Sequence, residues 1–141
     1  MVTASAGRQS SPIADPPRKL RILIAEDNQD AADSLAIILN LFGHHTQIAL
    51  NGLDAVQMAH EYQPDVMLLD IGMPGLNGYE VARQLDGPLQ EKKPLIIAVT
   101  GYAAREDLLR SAEAGMSLHL IKPVDPYRLR DILSRVARST L

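Results

Sequence analysis

The chain has 141 residues with 17 acidic against 14 Lys and Arg side chains, a formal net charge of −3, which argues against nucleic-acid binding through a general basic footprint. The absence of cysteine excludes disulfides, thiolate zinc sites and cysteine nucleophiles. Hydrophobic residues reach 46% with 4% aromatic, enough for one aliphatic core, while no run approaches the roughly 18 apolar residues that span a bilayer; a soluble, cytoplasmic domain with no membrane contact is expected.

Residues 1–19 are rich in Ser, Ala and Pro, with only Val2 and Ile13 as sizeable aliphatics. They cannot offset the entropy of ordering and read as a flexible tail or linker, with the folded domain over 20–141. Arg21–Ala25 is an apolar run of strand length that leads directly into Glu26 and Asp27. The helix expected over Asp30–Phe42 carries Ala32, Leu35, Ala36 and Leu39 on one stripe and stops at Gly43, a residue suited to the left-handed turn after a helix. His44 and His45 precede a strand at Thr46–Leu50; neighbours entering a strand point to opposite faces, so they do not chelate one ion together.

A second helix over Leu53–Glu61, with His60 near its end, leads to an apolar strand at Val66–Leu69 that runs straight into Asp70. A helix at Tyr79–Asp86 and a strand at Leu95–Val99 follow, the latter meeting Thr100. A helix over Arg105–Ala114 closes at Gly115, a strand at Leu118–Ile121 meets Lys122, and Asp125–Pro126 opens a last helix to Arg138 as N-cap and N1 residue. Arg128, Arg130, Arg135 and Arg138 on that helix, interrupted by Asp131, read as a solvated face. The dispersed Met58, Met67, Met73 and Met116 read as packing residues.

Five strands alternating with five helices predict an α/β fold, a (βα)5 doubly wound parallel sheet of flavodoxin-like strand order 2-1-3-4-5. In such sheets ligands bind at the carboxyl ends of the strands beside the point where the order reverses. Glu26, Asp27 and Asp70 converge there. At separations near 5 Å and an effective dielectric of about 20, each like-charge pair costs roughly 3 kcal/mol, so the cluster calls for a cation or raised pKa values. An oxygen-only donor set points to a hard cation, Mg²⁺. Helix capping explains Glu26 or Asp27 taken singly, and Lys122 serves as a plain counter-ion to Asp70. Thr100 and Lys122 on the same edge also supply the hydrogen bond and charge that a phosphoryl group on Asp70 requires. The Lys122–Pro123 bond is a candidate cis peptide, which would turn the lysine inward. Gly52, Gly75, Gly87 and Gly101 lie at turns without the order of a nucleotide-binding loop.

The segments ILIAEDN, VMLLDIGMPGLNGYE, VTG and LIKP, with Glu26–Asp27, Asp70, Met73–Pro74, Gly78, Thr100 and Lys122–Pro123 in order over almost all of 20–138, resemble the receiver domains of two-component response regulators. The resemblance implies that Asp70 accepts a phosphoryl group from the phosphohistidine of a histidine kinase or histidine phosphotransfer protein. It implies that Asp27, Asp70 and the Gly72 backbone carbonyl ligate Mg²⁺, with Mn²⁺ as a substitute, and that Glu26 helps hold the ion through water. Thr100 and Lys122 would bind the phosphoryl group. The switch would pair Thr100 with the aromatic position of the fifth strand, which here is His119. Gly72 and Tyr102 would tune phosphate lifetime, and Asn77, where the family commonly has Asp, is read as a turn residue without a catalytic role.

On this reading the chain is a phosphoacceptor signalling domain and not an enzyme beyond slow self-dephosphorylation. With no output region after residue 138, its signal is expected to leave by contact with another protein, and a homodimer through the fourth helix, fifth strand and fifth helix is one arrangement open to it. It is either a stand-alone regulator or the receiver segment of a hybrid histidine kinase. A metal-dependent phosphatase with an aspartyl nucleophile needs a second Asp two residues on, where Gly72 stands. A flavodoxin-like cofactor binder would place a phosphate loop where Glu26 and Asp27 repel it. A degenerate receiver used only for docking is disfavoured because no charged site residue is missing.

Overall fold

The structure, a computed structural model, describes residues 18–73, 75–88, 90–101, 109–110 and 112–139. Residues 1–17 of the expected tail, Tyr102 and half of the expected helix Arg105–Ala114 lie outside the described residues; 109, 110, 112 and 113 of that helix are helical.

The strands are β1 (Arg21–Ala25), β2 (His45–Ala49), β3 (Val66–Asp70), β4 (Leu95–Thr100) and β5 (Leu118–Ile121). They form one parallel sheet of order β2-β1-β3-β4-β5, the expected doubly wound topology. The three central strands β1, β3 and β4 are the ones apolar at nearly every position and are buried along most of their length, as strands covered on both faces must be. The edge strands β2 and β5 are buried at few positions.

Alternation of side chains across the sheet divides the core in two. Leu23, Met67, Leu69, Ile96 and Ala98 face one layer, which holds α2 (Gly52–Tyr62) and α3 (Gly78–Gln84). Ile22, Ile24, Val66, Leu68 and Ile97 face the other, which holds α1 (Gln29–Leu41) and α4 (Pro126–Ser139).

The four helices α1 to α4 begin at the carboxyl end of the sheet, each with a side-chain cap that fixes its first turn. Asn28 Oδ1 accepts from the Ala31 amide, Asn51 Oδ1 from Asp54 and Asn77 Oδ1 from Glu80, while Asp125 Oδ1 accepts from Tyr127. Asn77 is thus more than a turn residue. Its own amide donates to Glu80 Oε1 at 3.1 Å, completing a reciprocal capping box. At the far end of α1, Gly43 takes φ +96°, and the His44 amide reaches back to the Leu39 carbonyl at 3.1 Å, closing the helix as the left-handed glycine requires.

Candidate functional site

The register of β1, β3 and β4 brings the acidic and polar strand ends together. Ala25 pairs with Leu69 and Asp70 pairs with Val99, so Glu26 and Asp70 follow at the same level of neighbouring strands, with Thr100 one residue beyond Val99. Thr100 pairs in turn with Ile121, and its carbonyl accepts the Lys122 amide at 2.7 Å. One carboxylate oxygen from each of Glu26, Asp27 and Asp70 lies within 4.8 Å of the others.

Lys122 is the cation of this cluster. Its Nζ lies 2.9 Å from Glu26 Oε1 and 3.3 Å from Asp70 Oδ2. The sequence pairs Lys122 with Asp70; the structure adds the shorter contact to Glu26, whose other oxygen accepts the Asn28 amide at 3.1 Å. The Lys122–Pro123 peptide is cis. Asp70 is held from the other side, where its Oδ1 accepts the Gly72 amide at 2.9 Å.

These contacts set the charge states. Burial pushes Glu26 up, but the Lys122 ammonium and the Asn28 amide outweigh it and hold Glu26 below its ordinary value. Burial also pushes Asp70 up, and there the Glu26 charge adds to it, so Asp70 stays above the usual carboxylate range despite the Gly72 amide and Lys122. The two carboxylates raise Lys122 against the opposing effect of burial. One ammonium, in contact with two of the three clustered acids, leaves the described cluster with more negative than positive charge.

The donor set fits a hard divalent ion: three carboxylates, no His or Cys among the clustered ligand atoms, and one residue of the three exposed to solvent, Asp27. A cation held through one or two carboxylates and several waters is the usual arrangement for Mg²⁺.

Two glycines around Asp70 differ in kind. A Cβ on Gly78 would sit 2.7 Å from Ile71 Cα and 3.2 Å from the Asp70 carbonyl oxygen, so glycine is required for α3 to start against the end of β3. A Cβ on Gly72 would make an ordinary 3.7 Å contact with Asp70 Oδ1, so the exposed Gly72 position accepts a side chain and its glycine leaves the acid pocket open.

His119 is half-buried in β5 opposite Ala98, two ladder steps back from the pair Thr100 and Ile121. Tyr102 lies outside the described residues. Two other histidines hold structure: His44 Nδ1 accepts the Leu20 amide at 3.1 Å, and His60 Nδ1 lies 2.7 Å from Gln90 Oε1.

Sequence reasoning missed a polar cluster at the opposite end of the sheet. Asp65 Oδ2 accepts the Arg21 amide at 2.8 Å, and its Oδ1 meets Lys92 Nζ at 2.9 Å and Arg18 at 3.5 Å. Beside it the buried Gln90 donates from Nε2 to the Ala59 and Lys92 carbonyls. Arg21 and Ala59 are distant in sequence from the Asp65 and Gln90 they bind, and no local motif marks them.

A doubly wound sheet with an acid pocket, a hydroxyl and a lysine at its carboxyl edge is the architecture of a phosphorylation switch, and the chain belongs to the response regulator receiver domain family, whose model matches residues 22–134. Among curated relatives, it is 36% identical over 116 residues to Protein PilH of Pseudomonas aeruginosa, covering 82% of this chain and 96% of PilH. It is 31% identical over 107 residues to the polar-differentiation response regulator DivK of Brucella anthropi, covering 76% and 87% of the two chains. It spans about half the length of other relatives, 50% for an uncharacterized response regulatory protein of Yersinia pestis at 37% identity over 86% of this chain. Among solved structures, it is similar to the receiver domain of the sensor histidine kinase PA1611 of Pseudomonas aeruginosa, at TM-score 0.77 and 31% identity over 86% of this chain and 100% of that one. That structure has a magnesium ion coordinated in its active site cleft.

Proposed function

We propose that Asp70 is the phosphoacceptor of this receiver, taking the phosphoryl group of a phosphohistidine on a histidine kinase or phosphotransfer protein, with Mg²⁺ held by Asp27, Asp70 and the Gly72 carbonyl. The observation that carries the reading is the cluster of three carboxylate oxygens within 4.8 Å of one another, served by the single ammonium of Lys122. An Asp70 carboxylate oxygen forms the new O–P bond as the N–P bond of the donor breaks, and the electron pair leaves with the imidazole. Gly72 N–H fixes the attacking carboxylate. Lys122 moves its ammonium from Asp70 Oδ2 onto a phosphoryl oxygen while Glu26 keeps it in place. Thr100 supplies a hydroxyl from the adjacent strand end. Bound magnesium supplies the remaining positive charge against the phosphoryl oxygens.

On this reading the folded unit starts at Leu20, which is fully buried, and the chain acts as a cytoplasmic signalling domain without turnover beyond slow loss of its own phosphate. No described helix is long and apolar enough to cross a membrane. A groove along α4 and the start of β5, lined by Leu118, Asp125, Arg128, Asp131 and Arg135, carries two charges of each sign and suits a self-complementary contact in a homodimer. Thr100 and His119 are the residues through which phosphorylation would reshape that face.

The test is treatment with phosphoramidate and Mg²⁺ followed by intact mass. One phosphoryl group is expected on the wild-type chain, and none after chelation or in Asp70→Asn. Unchanged labelling of Asp70→Asn would sink the assignment, and steady turnover of a simple phosphate ester would favour a hydrolase.

A further inference from the structure

The loop that carries Gly72 is closed at its neck and pinned at its crown. At the neck the Gly78 amide donates to the Ile71 carbonyl at 3.2 Å, so the chain leaves β3 and returns to start α3 within one loop, residues 72–77. At the crown Met73 is buried in the core layer that holds α2 and α3. Leu76 packs against the same core and lies against Gly52, the first residue of α2. A Cβ on Gly52 would meet the Leu76 carbonyl oxygen, 2.8 Å from Leu76 Cβ and 2.9 Å from its carbonyl carbon. No side chain fits there unless the loop or the helix gives way.

The helix itself does not call for glycine at this position. Asn51 already caps α2, its Oδ1 accepting the Asp54 amide at 2.8 Å, and glycine carries an entropic cost that a side chain would avoid. Backbone conformation is not the reason either, since the described glycines with positive φ are Gly43, Gly75 and Gly115. What the missing side chain permits is the close approach of Leu76. The same segment is tied to the other half of the acid pocket, because the Ala49 carbonyl at the end of β2 accepts the Glu26 amide at 3.0 Å. Residues 49–52 therefore brace the acid end of β1 through Ala49 and the loop after Asp70 through Gly52. Within that loop Met73 is held in the core and Asn77 by the capping box of α3. A displacement of Leu76 is left to the exposed Gly72 and Gly75 to absorb.

We propose that Gly52 is a positioning residue of the metal site: its missing side chain lets Leu76 close onto α2, and the closed loop holds Gly72 with its amide on Asp70 Oδ1 and its carbonyl presented to Mg²⁺. The assignment rests on the reading that the Gly72 carbonyl is a ligand. Gly52 touches neither the ion nor the phosphoryl group and acts only through the loop. Its replacement therefore changes how tightly the metal is held more than it changes transfer once the metal is bound.

The experiment titrates Mg²⁺ into the full chain and follows the Gly72 amide and Asp70 carboxyl signals by NMR, for wild type, Gly52→Ala, Leu76→Ala and Gly43→Ala. Urea unfolding in EDTA gives the stability of each. Gly43→Ala is the control: at φ +96° a side chain is strained although nothing lies within 4 Å of it, so it costs stability at the far end of α1 and leaves the loop alone. Gly52→Ala is expected to raise the Mg²⁺ Kd about tenfold, as loss of a ligand's outer support does. In EDTA its Gly72 amide proton moves upfield as the hydrogen bond to Asp70 Oδ1 lengthens. The Mg²⁺ needed for half-maximal phosphoramidate labelling rises in step, while the plateau rate stays within about twofold of wild type. Leu76→Ala loosens the loop without forcing it and gives a smaller rise in Kd, about threefold; it decides the matter alone if Gly52→Ala does not fold. Gly43→Ala loses stability and keeps the wild-type Kd. A Kd that is unchanged in Gly52→Ala, or in Leu76→Ala where only that variant folds, overturns the proposal. So does an equal rise in Gly43→Ala, which would mark a general effect of lost stability, and so does a fall in plateau rate at an unchanged Mg²⁺ requirement, which would mean a displaced acceptor. If Mg²⁺ moves neither signal in the wild-type chain, the metal reading itself fails, a result distinct from the others.

Discussion

Asp65 and Asp70 stand at the two ends of one strand, and their surroundings push their carboxyl groups in opposite directions. Burial raises both. At the lower end the Arg21 amide, Lys92 and Arg18 overcome that effect and hold Asp65 below its ordinary value. At the upper end Glu26 adds to the effect of burial, and Asp70 lies above it. The lower cluster is a finished structural joint in which one acid meets an amide and two cations. Among the described residues the upper cluster has more acid than base. The same residue type on the same strand is a fastener in one place and a receptor in the other, and the difference lies in the balance of partners.

Gln90 is 3% exposed and gives its amide to the Ala59 and Lys92 carbonyls while its oxygen meets His60. Gln90→Leu strands those groups and is expected to cost about 3 kcal/mol in urea unfolding, with phosphoramidate labelling of the folded protein unchanged. At the upper end, Lys122→Ala leaves Glu26 and Asp70 without their ammonium. The expected loss is about 2 kcal/mol at low ionic strength, reduced by salt because Lys122 is partly exposed, together with loss of stable phosphorylation.

Smaller effects sharpen the contrast by their sign. Asp65→Asn is expected to destabilise by about 1 kcal/mol, since its cationic partners are nearly half exposed and screened. Asp70→Asn removes charge repulsion and is expected to stabilise by about 1 kcal/mol near neutral pH without added divalent ion. Their pH dependence runs in opposite senses. The depressed Asp65 contributes stability that is present above the unfolded carboxylate value and lost as pH falls through its lower folded value. The raised Asp70 binds its proton more tightly when folded, so its contribution falls as pH rises from the unfolded value through the folded one. Unfolding curves of the two variants between about pH 3 and 7 are expected to lie on opposite sides of wild type near neutrality, Asp65→Asn below and Asp70→Asn above, and both to approach it at the acid end, where the wild-type carboxyls are protonated.

The fold was legible because its signals are local. The uninterrupted apolar runs of β1, β3 and β4 mark central strands, and Gly43 and Asp125 mark helix ends. The upper site was legible for a related reason: parallel strands of known order place their last residues along one edge, so Glu26, Asp70, Thr100 and Lys122 are brought to that edge by topology alone. The shorter Lys122 contact to Glu26 was not legible, because it depends on side-chain reach across strands. Asp65 reads in sequence as a turn acid before a strand, and its partners Arg18, Arg21 and Lys92 come from two other segments. Gln90 sits in a polar loop, where nothing local announces burial. The Asn77–Glu80 capping box is legible in the three-residue spacing of Asn and Glu ahead of an apolar pair.

The most direct test is a carboxyl-carbon NMR titration that follows Asp65 and Asp70 in the same sample, with and without Mg²⁺. The account predicts an Asp65 midpoint below the ordinary carboxylate value and an Asp70 midpoint above it, and added Mg²⁺ lowers the Asp70 midpoint while leaving Asp65 where it was. Two midpoints that coincide, or that move together when Mg²⁺ is added, would contradict it.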